Sequence, residues 1–108
     1  MNLPTEIFGE VAVVHTPEEL GSDQAAGFEA YLPTLQRRRV VLDLDNTEML
    51  DSAGLTALLN AREKLGEEGG MIRVAASNPT NRKILEITRL DRQFEVFSSV
   101  IDAVKSFQ

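Results

Sequence analysis

The chain has 108 residues, 43% hydrophobic and 26% charged, with 11 Lys and Arg against 17 Asp and Glu for a formal charge of −6. Those proportions suit one globular domain, residues 1–108, whose core needs no staples, and the absence of cysteine removes disulfides, zinc–thiolate sites and thiol nucleophiles. The acidic balance disfavours direct nucleic-acid binding, which depends on a basic surface to displace counterions.

No apolar run approaches membrane-spanning length, and the opening MNLPTEIFGE lacks the basic-then-apolar profile of a secretory signal. A cytoplasmic location without membrane insertion is therefore expected. Residues Ile7 to Val14 read as a broken or hairpinned strand region with Gly9 as its turn, and VAVV (11–14) as its better half. TPEELGSD (16–23) carries Pro and Gly and reads as a loop. From Ser22 or Asp23 a helix is expected, because Phe28, Tyr31, Leu32 and Leu35 fall at i, i+3, i+4 and i+7. Pro33 kinks it or ends its regular part. The basic run Arg37, Arg38, Arg39 then reads as a solvated helix end.

RVVLDL (39–44) has the β-branched and aliphatic character of a strand covered on both faces. A loop leads to Asp51, after which Leu55, Leu58, Leu59 and Leu65 form the stripe of a long helix. EEGG (67–70) closes it with a left-handed glycine cap. MIRVAA (71–76) is the next strand. Asn78-Pro79 starts a helix with Ile84, Leu85 and Ile87 as its apolar face. EVF (95–97) is a short strand, and the S-x-x-D run Ser99 to Asp102 opens a last helix that buries Val100, Val104 and Phe107. The alternation of strand and helix predicts an α/β fold, a small mostly parallel mixed sheet with about four helices packed on it. Sites in such folds favour the carboxyl ends of strands, which points to the loop from Asp45 to Gly54.

That loop belongs to VVLDLDNTEMLDSAG (40–54), which holds two signatures. DLDNT is similar to the DxDxT of haloacid-dehalogenase-type phosphatases, where Asp43 would attack phosphorus and Asp45 would protonate the leaving group. Ser77 and Lys83 have counterparts in that scheme. The distal acidic pair that would hold magnesium does not, and the chain lacks the length for a cap. In DSAG, Asp51 or Ser52 makes a good helix N-cap. Gly54 costs about 1 kcal/mol relative to alanine in a helix interior, and close approach of another backbone or of a partner would justify it.

DSAGL behind VVLDL, the long helix, the strand, the Asn-Pro helix start and RKILEITRLDRQFEVFSSVIDAVKSF together resemble a STAS domain, and more narrowly the bacterial anti-sigma factor antagonists. The match covers residues 39–107. It implies a STAS fold and a protein that is not an enzyme, with no cofactor and no metal. Its partners would be an anti-sigma factor with serine-kinase activity and a metal-dependent serine phosphatase. The phosphorylated residue would be Ser52, and the partner-binding residues Asp51, Ser52, Gly54, Leu55, Met49 and Asp23. Leu55 also reads as simple core packing, and Asp43, Thr47 and Asn78 as residues of the same face or as structural caps.

The amino-terminal third departs from the family's G-x-L-D pattern, and Asp23 is its nearest counterpart. His15 reads as a strand-end residue without a role. The short first strand leaves a sheet edge open to pairing. Two other readings stay open beside the phosphorylatable antagonist. One is a STAS subunit docking statically in a lipid-transport ABC complex; the other is a STAS module whose kinase has been lost or replaced. ITRLDRQFEVF, similar to the antagonists' usual ending, favours the first.

Overall fold

A computed structural model describes residues 1–108. β1 (Thr5–Phe8) and β2 (Val11–His15) form an antiparallel hairpin about a two-residue turn, with Gly9 at φ 62°. β3 (Glu19–Leu20) leads into α1 (Ser22–Tyr31), and a 3-10 turn at Leu32–Leu35 carries Pro33. β4 (Arg39–Asp43), β5 (Met49–Leu50) and α2 (Ser52–Glu67) follow. Then come β6 (Met71–Ala75), α3 (Pro79–Ile87), β7 (Val96–Phe97) and α4 (Val100–Lys105).

The main sheet has the order β1-β2-β4-β6-β7. All its pairs are parallel except the opening hairpin, as the alternation predicts. β2, β4 and β6 are in register from Val11, Arg39 and Met71 at one end to His15, Asp43 and Ala75 at the other. Side chains alternate across the sheet. Val14, Val40, Leu42 and Val74 join Phe28, Leu58 and Leu85 in the larger core, while Val11, Val13, Val41 and Ala75 meet Ala103 of α4. β4 is thus covered on both faces, which explains its unbroken apolar run.

The end of α2 shows how locally such a stop is encoded. Gly69 takes φ 79°, its N–H donates to the Gly66 carbonyl, and the Gly70 N–H donates to the Leu65 carbonyl at 2.8 Å. This is the doubly bonded left-handed stop that EEGG predicts.

Three expectations need correction. The stretch 16–23 is not all loop, because Glu19–Leu20 pairs in parallel with Met49–Leu50 to make a second, two-stranded sheet. Two-residue strands have no periodicity to read. Ile87 does not share the buried face of α3 and is 70% exposed. It lies two residues past Leu85, about 200° around the helix, while the buried position one turn before Leu85 is Asn81. Val100 and Val104 of α4, and Phe107 just beyond it, pack against the smaller core but are only half-buried, and Ala103 occupies the fully buried position.

Candidate functional site

The site is built where α1 and α2 begin, side by side above the β3–β5 pair. Asp51 is the N-cap of α2, and its Oδ1 accepts the Gly54 N–H at 2.9 Å. Ser52 is therefore the first helical residue rather than the cap. It is exposed, and its hydroxyl has no hydrogen-bond partner in the protein. A carboxylate and a free hydroxyl thus stand next to each other at a positive helix end. A Cβ added to Gly21 would stand 2.8 Å from Asp51 Oδ2, so the start of α1 is fitted closely against the cap of α2.

Gly54 is buried, and a Cβ there would lie 1.9 Å from the Leu20 carbonyl oxygen. The close approach it permits is made by this chain's own β3, not by a partner, and Gly54 leaves the set of surface contacts. Leu55 is half-buried against the larger core. Met49 is 44% exposed, and Asp23, in the first turn of α1, is exposed on the same side. With Glu18, Glu19, Glu48 and Asp51 also exposed, the surface around Ser52 is strongly acidic.

The residues of DLDNT serve the loop beneath. Asp43 is buried; its Oδ2 meets His15 Nδ1 at 2.8 Å and its Oδ1 accepts the Asp45 N–H. Asp45 accepts the Ser77 and Asn78 N–H groups and the Ser77 hydroxyl, tying the β4 loop to the start of α3. Both carboxylates of the DxDxT reading therefore have structural partners. Asn78 caps α3 by accepting from Thr80 at 2.8 Å. Thr47 is buried, bonded to the Pro17 carbonyl and to Thr16. Asn81 Nδ2 donates to the Leu44 and Thr47 carbonyls, each at 2.9 Å. Asn78 is a helix cap, and Asp43 and Thr47 are buried and hold the loop that leads to Met49 and Ser52 rather than lining an exposed face.

His15, given no role by the sequence, bridges two carboxylates: Nδ1 meets Asp43 and Nε2 meets Glu6 at 2.7 Å. Burial of the ring opposes its charge, but the hydrogen bonds and negative charges of Glu6 and Asp43 outweigh that, so its pKa is raised above 6.5. The signal was available in principle, since Glu6, His15 and Asp43 lie near the ends of β1, β2 and β4. Their juxtaposition required the strand register.

The residues at the α1–α2 pole and the mixed sheet define a class: the STAS domain model matches residues 2–103, and the chain belongs to that family. Similar proteins within it include several named as anti-sigma factor antagonists. The anti-sigma F factor antagonist of Paenibacillus polymyxa is 26% identical over 68% of this chain and 66% of its own. The crystal structure of an anti-sigma factor antagonist from Mycobacterium paratuberculosis superposes with a TM-score of 0.85 at 29% identity, covering 97% of this chain and 92% of that one. The phosphorylated form of the Bacillus cell fate determinant SpoIIAA shares the fold, with a TM-score of 0.72 at 18% identity over 99% and 100% of the two chains. The DLDNT run lies inside the STAS match, and no helix is long and apolar enough to cross a membrane.

Proposed function

We propose that this chain is a partner-switching anti-sigma factor antagonist that binds an anti-sigma factor with serine-kinase activity while Ser52 is unmodified and releases it when Ser52 is phosphorylated. A metal-dependent serine phosphatase resets the switch. The observation that carries this reading is the exposed, unpartnered Ser52 hydroxyl at the first position of α2. Phosphorylation adds about −1.5 to −2 charges there. The α2 amino terminus can stabilise that charge within the domain, so the fold need not melt. At an interface the phosphate introduces bulk and a charge whose desolvation is costly, beside Asp51 and Glu48. Asp51 orients the serine through the cap, while Met49 and Asp23 supply apolar and acidic contacts on either side.

The test is incubation with ATP and the cognate kinase, followed by intact-mass measurement. One added phosphate is expected, absent in Ser52→Ala. No mass change, or a change that survives Ser52→Ala, rejects the switch and leaves static docking as the reading.

A further inference from the structure

β1 lies at the edge of the main sheet and pairs on one side only, with β2. The parity of that hairpin decides what its other side offers. The His15 N–H donates to the Pro4 carbonyl at 2.9 Å, and the next residue, Thr5, stands opposite Val14. Hydrogen-bonded and non-bonded pairs alternate along an antiparallel ladder. Pro4, Glu6 and Phe8 therefore bond towards β2, and the N–H and C=O groups of Thr5 and Ile7 point to the open edge. We infer that this edge joins a second copy of the chain, β1 to β1 and antiparallel, through a surface that does not include Ser52.

The composition of β1 suits a strand partner. Edge strands are commonly blunted with lysine, proline or a bulge, and Thr5–Phe8 contains none of these. Its one charge, Glu6, is turned to His15 Nε2 at 2.7 Å. Ile7 and Phe8 are each 48% exposed, and they lie on opposite faces of the sheet. Phe8 stands opposite Val11 of the smaller core, whereas Ile7 shares its face with Thr5, which stands opposite Val14 of the larger core. Both sides of the open edge therefore carry an apolar side chain that pairing would cover.

Symmetry and charge select the occupant and the register. Two antiparallel copies of one edge are related by a two-fold axis normal to the sheet, so each face continues across the join. Residues opposite each other then share a face, and the axis passes through a residue. At Glu6 it would set two carboxylates directly opposite, which destabilises a pair. At Ile7 it brings the two Ile7 side chains together, sets each Phe8 against the stem of the other copy's Glu6, and lets Ile7 exchange both backbone bonds with its copy. The antiparallel sense also keeps like charges apart. Glu18, Glu19 and Glu48 follow the ends of β2 and β4, whereas Arg37 and Arg38 precede β4. Reversing one chain brings the acidic end of each sheet alongside the arginine end of the other, whereas a parallel join would gather both acidic ends of two chains of charge −6.

Sedimentation equilibrium of the full chain tests the assignment. A monomer–dimer equilibrium with Kd below about 1 mM is expected, with the Ile7 amide exchanging more slowly as the dimer fills. Ile7→Pro removes the outward N–H but no bond to β2, so it should keep the circular dichroism spectrum and weaken the dimer at least about tenfold. Ile7→Lys, which sets two like charges opposite each other, should weaken it as much. Ile101→Lys replaces an exposed isoleucine on α4 and should leave Kd within about twofold. A monomer at every concentration up to about 1 mM, which leaves the edge to a strand of another protein, overturns the proposal. So does a dimer that survives both Ile7 variants, equal loss in Ile101→Lys, or growth beyond the dimer.

Discussion

Three residues carry tests that separate structural from functional roles. Asp51 holds the first turn of α2, so Asp51→Ala should cost about 1 kcal/mol in chemical denaturation, with Asp51→Asn keeping most of it, since asparagine also caps. Gly54→Ala places a methyl group 1.9 Å from a backbone oxygen. The helix start and β3 must then separate, at a cost of about 2 kcal/mol or more. His15 provides a pH test. Its native pKa is raised above the unfolded 6.5, so the native state holds the proton more tightly. Its contribution is complete below about pH 6.5 and is lost as pH rises through the native value. Thermal melts between pH 6 and 9 should therefore show stability falling with pH in the parent, and a flatter profile in His15→Gln.

Among the elements, the loop from β4 to β5 decides whether Ser52 is presented at all. Asn81, on α3, spans the gap to that loop, and its amide is the only hydrogen-bond partner of the Thr47 carbonyl. Asn81→Ala should cost roughly 1–3 kcal/mol by leaving that buried oxygen unpaired. Faster amide exchange across residues 45–50, with the core strands unchanged, would locate the effect. The same element explains why DLDNT looked like chemistry. A strand end followed by alternating polar residues is also what a loop needs when each side chain must bond a different neighbour: Asp43 to His15, Asp45 to Ser77, Thr47 to Pro17. The motif fixes residue types, and only the partners distinguish a nucleophile from a clasp.

For the whole molecule, the charge layout separates two poles. The acidic α1–α2 pole carries Ser52, whereas Arg37, Arg38, Arg39 and Arg73 line an open groove where β4 and β6 begin. Under the proposed switch, phosphorylation acts locally on the acidic pole. The phosphorylated chain should keep its circular dichroism spectrum and melt within about 5 °C of the parent, since a charge at a helix end changes stability by at most about 1 kcal/mol. Loss of partner binding with retained folding would mark a surface switch, whereas a molten spectrum would argue for a conformational one.

The strands and long helices were legible because burial imposes pattern: VVLDL and MIRVA are mostly β-branched and aliphatic, broken only by Asp43 and Arg73, and Leu58 and Leu65 fall on one side of α2. Gly69, Asn78 and Ser99 announced their helix ends because capping is local chemistry. Asp51 or Ser52 was marked as the cap of α2 in the same way, and the cap is Asp51; the choice of Ser52 as the modified residue came from the family resemblance. What depended on contacts distant in sequence was settled only by the tertiary structure. Glu19–Leu20 becomes a strand because Met49–Leu50 lies beside it, and Gly54 is required because the Leu20 carbonyl rests on it. His15 gains its charge partners because three strands end together. The sequence by itself determined which segments bury apolar surface and where each helix stops, since those choices follow from neighbours a few residues away. The tertiary structure alone decided which polar side chains are clasps and which hydroxyl stays free, because hydrogen bonds between segments some thirty residues apart have no local signature.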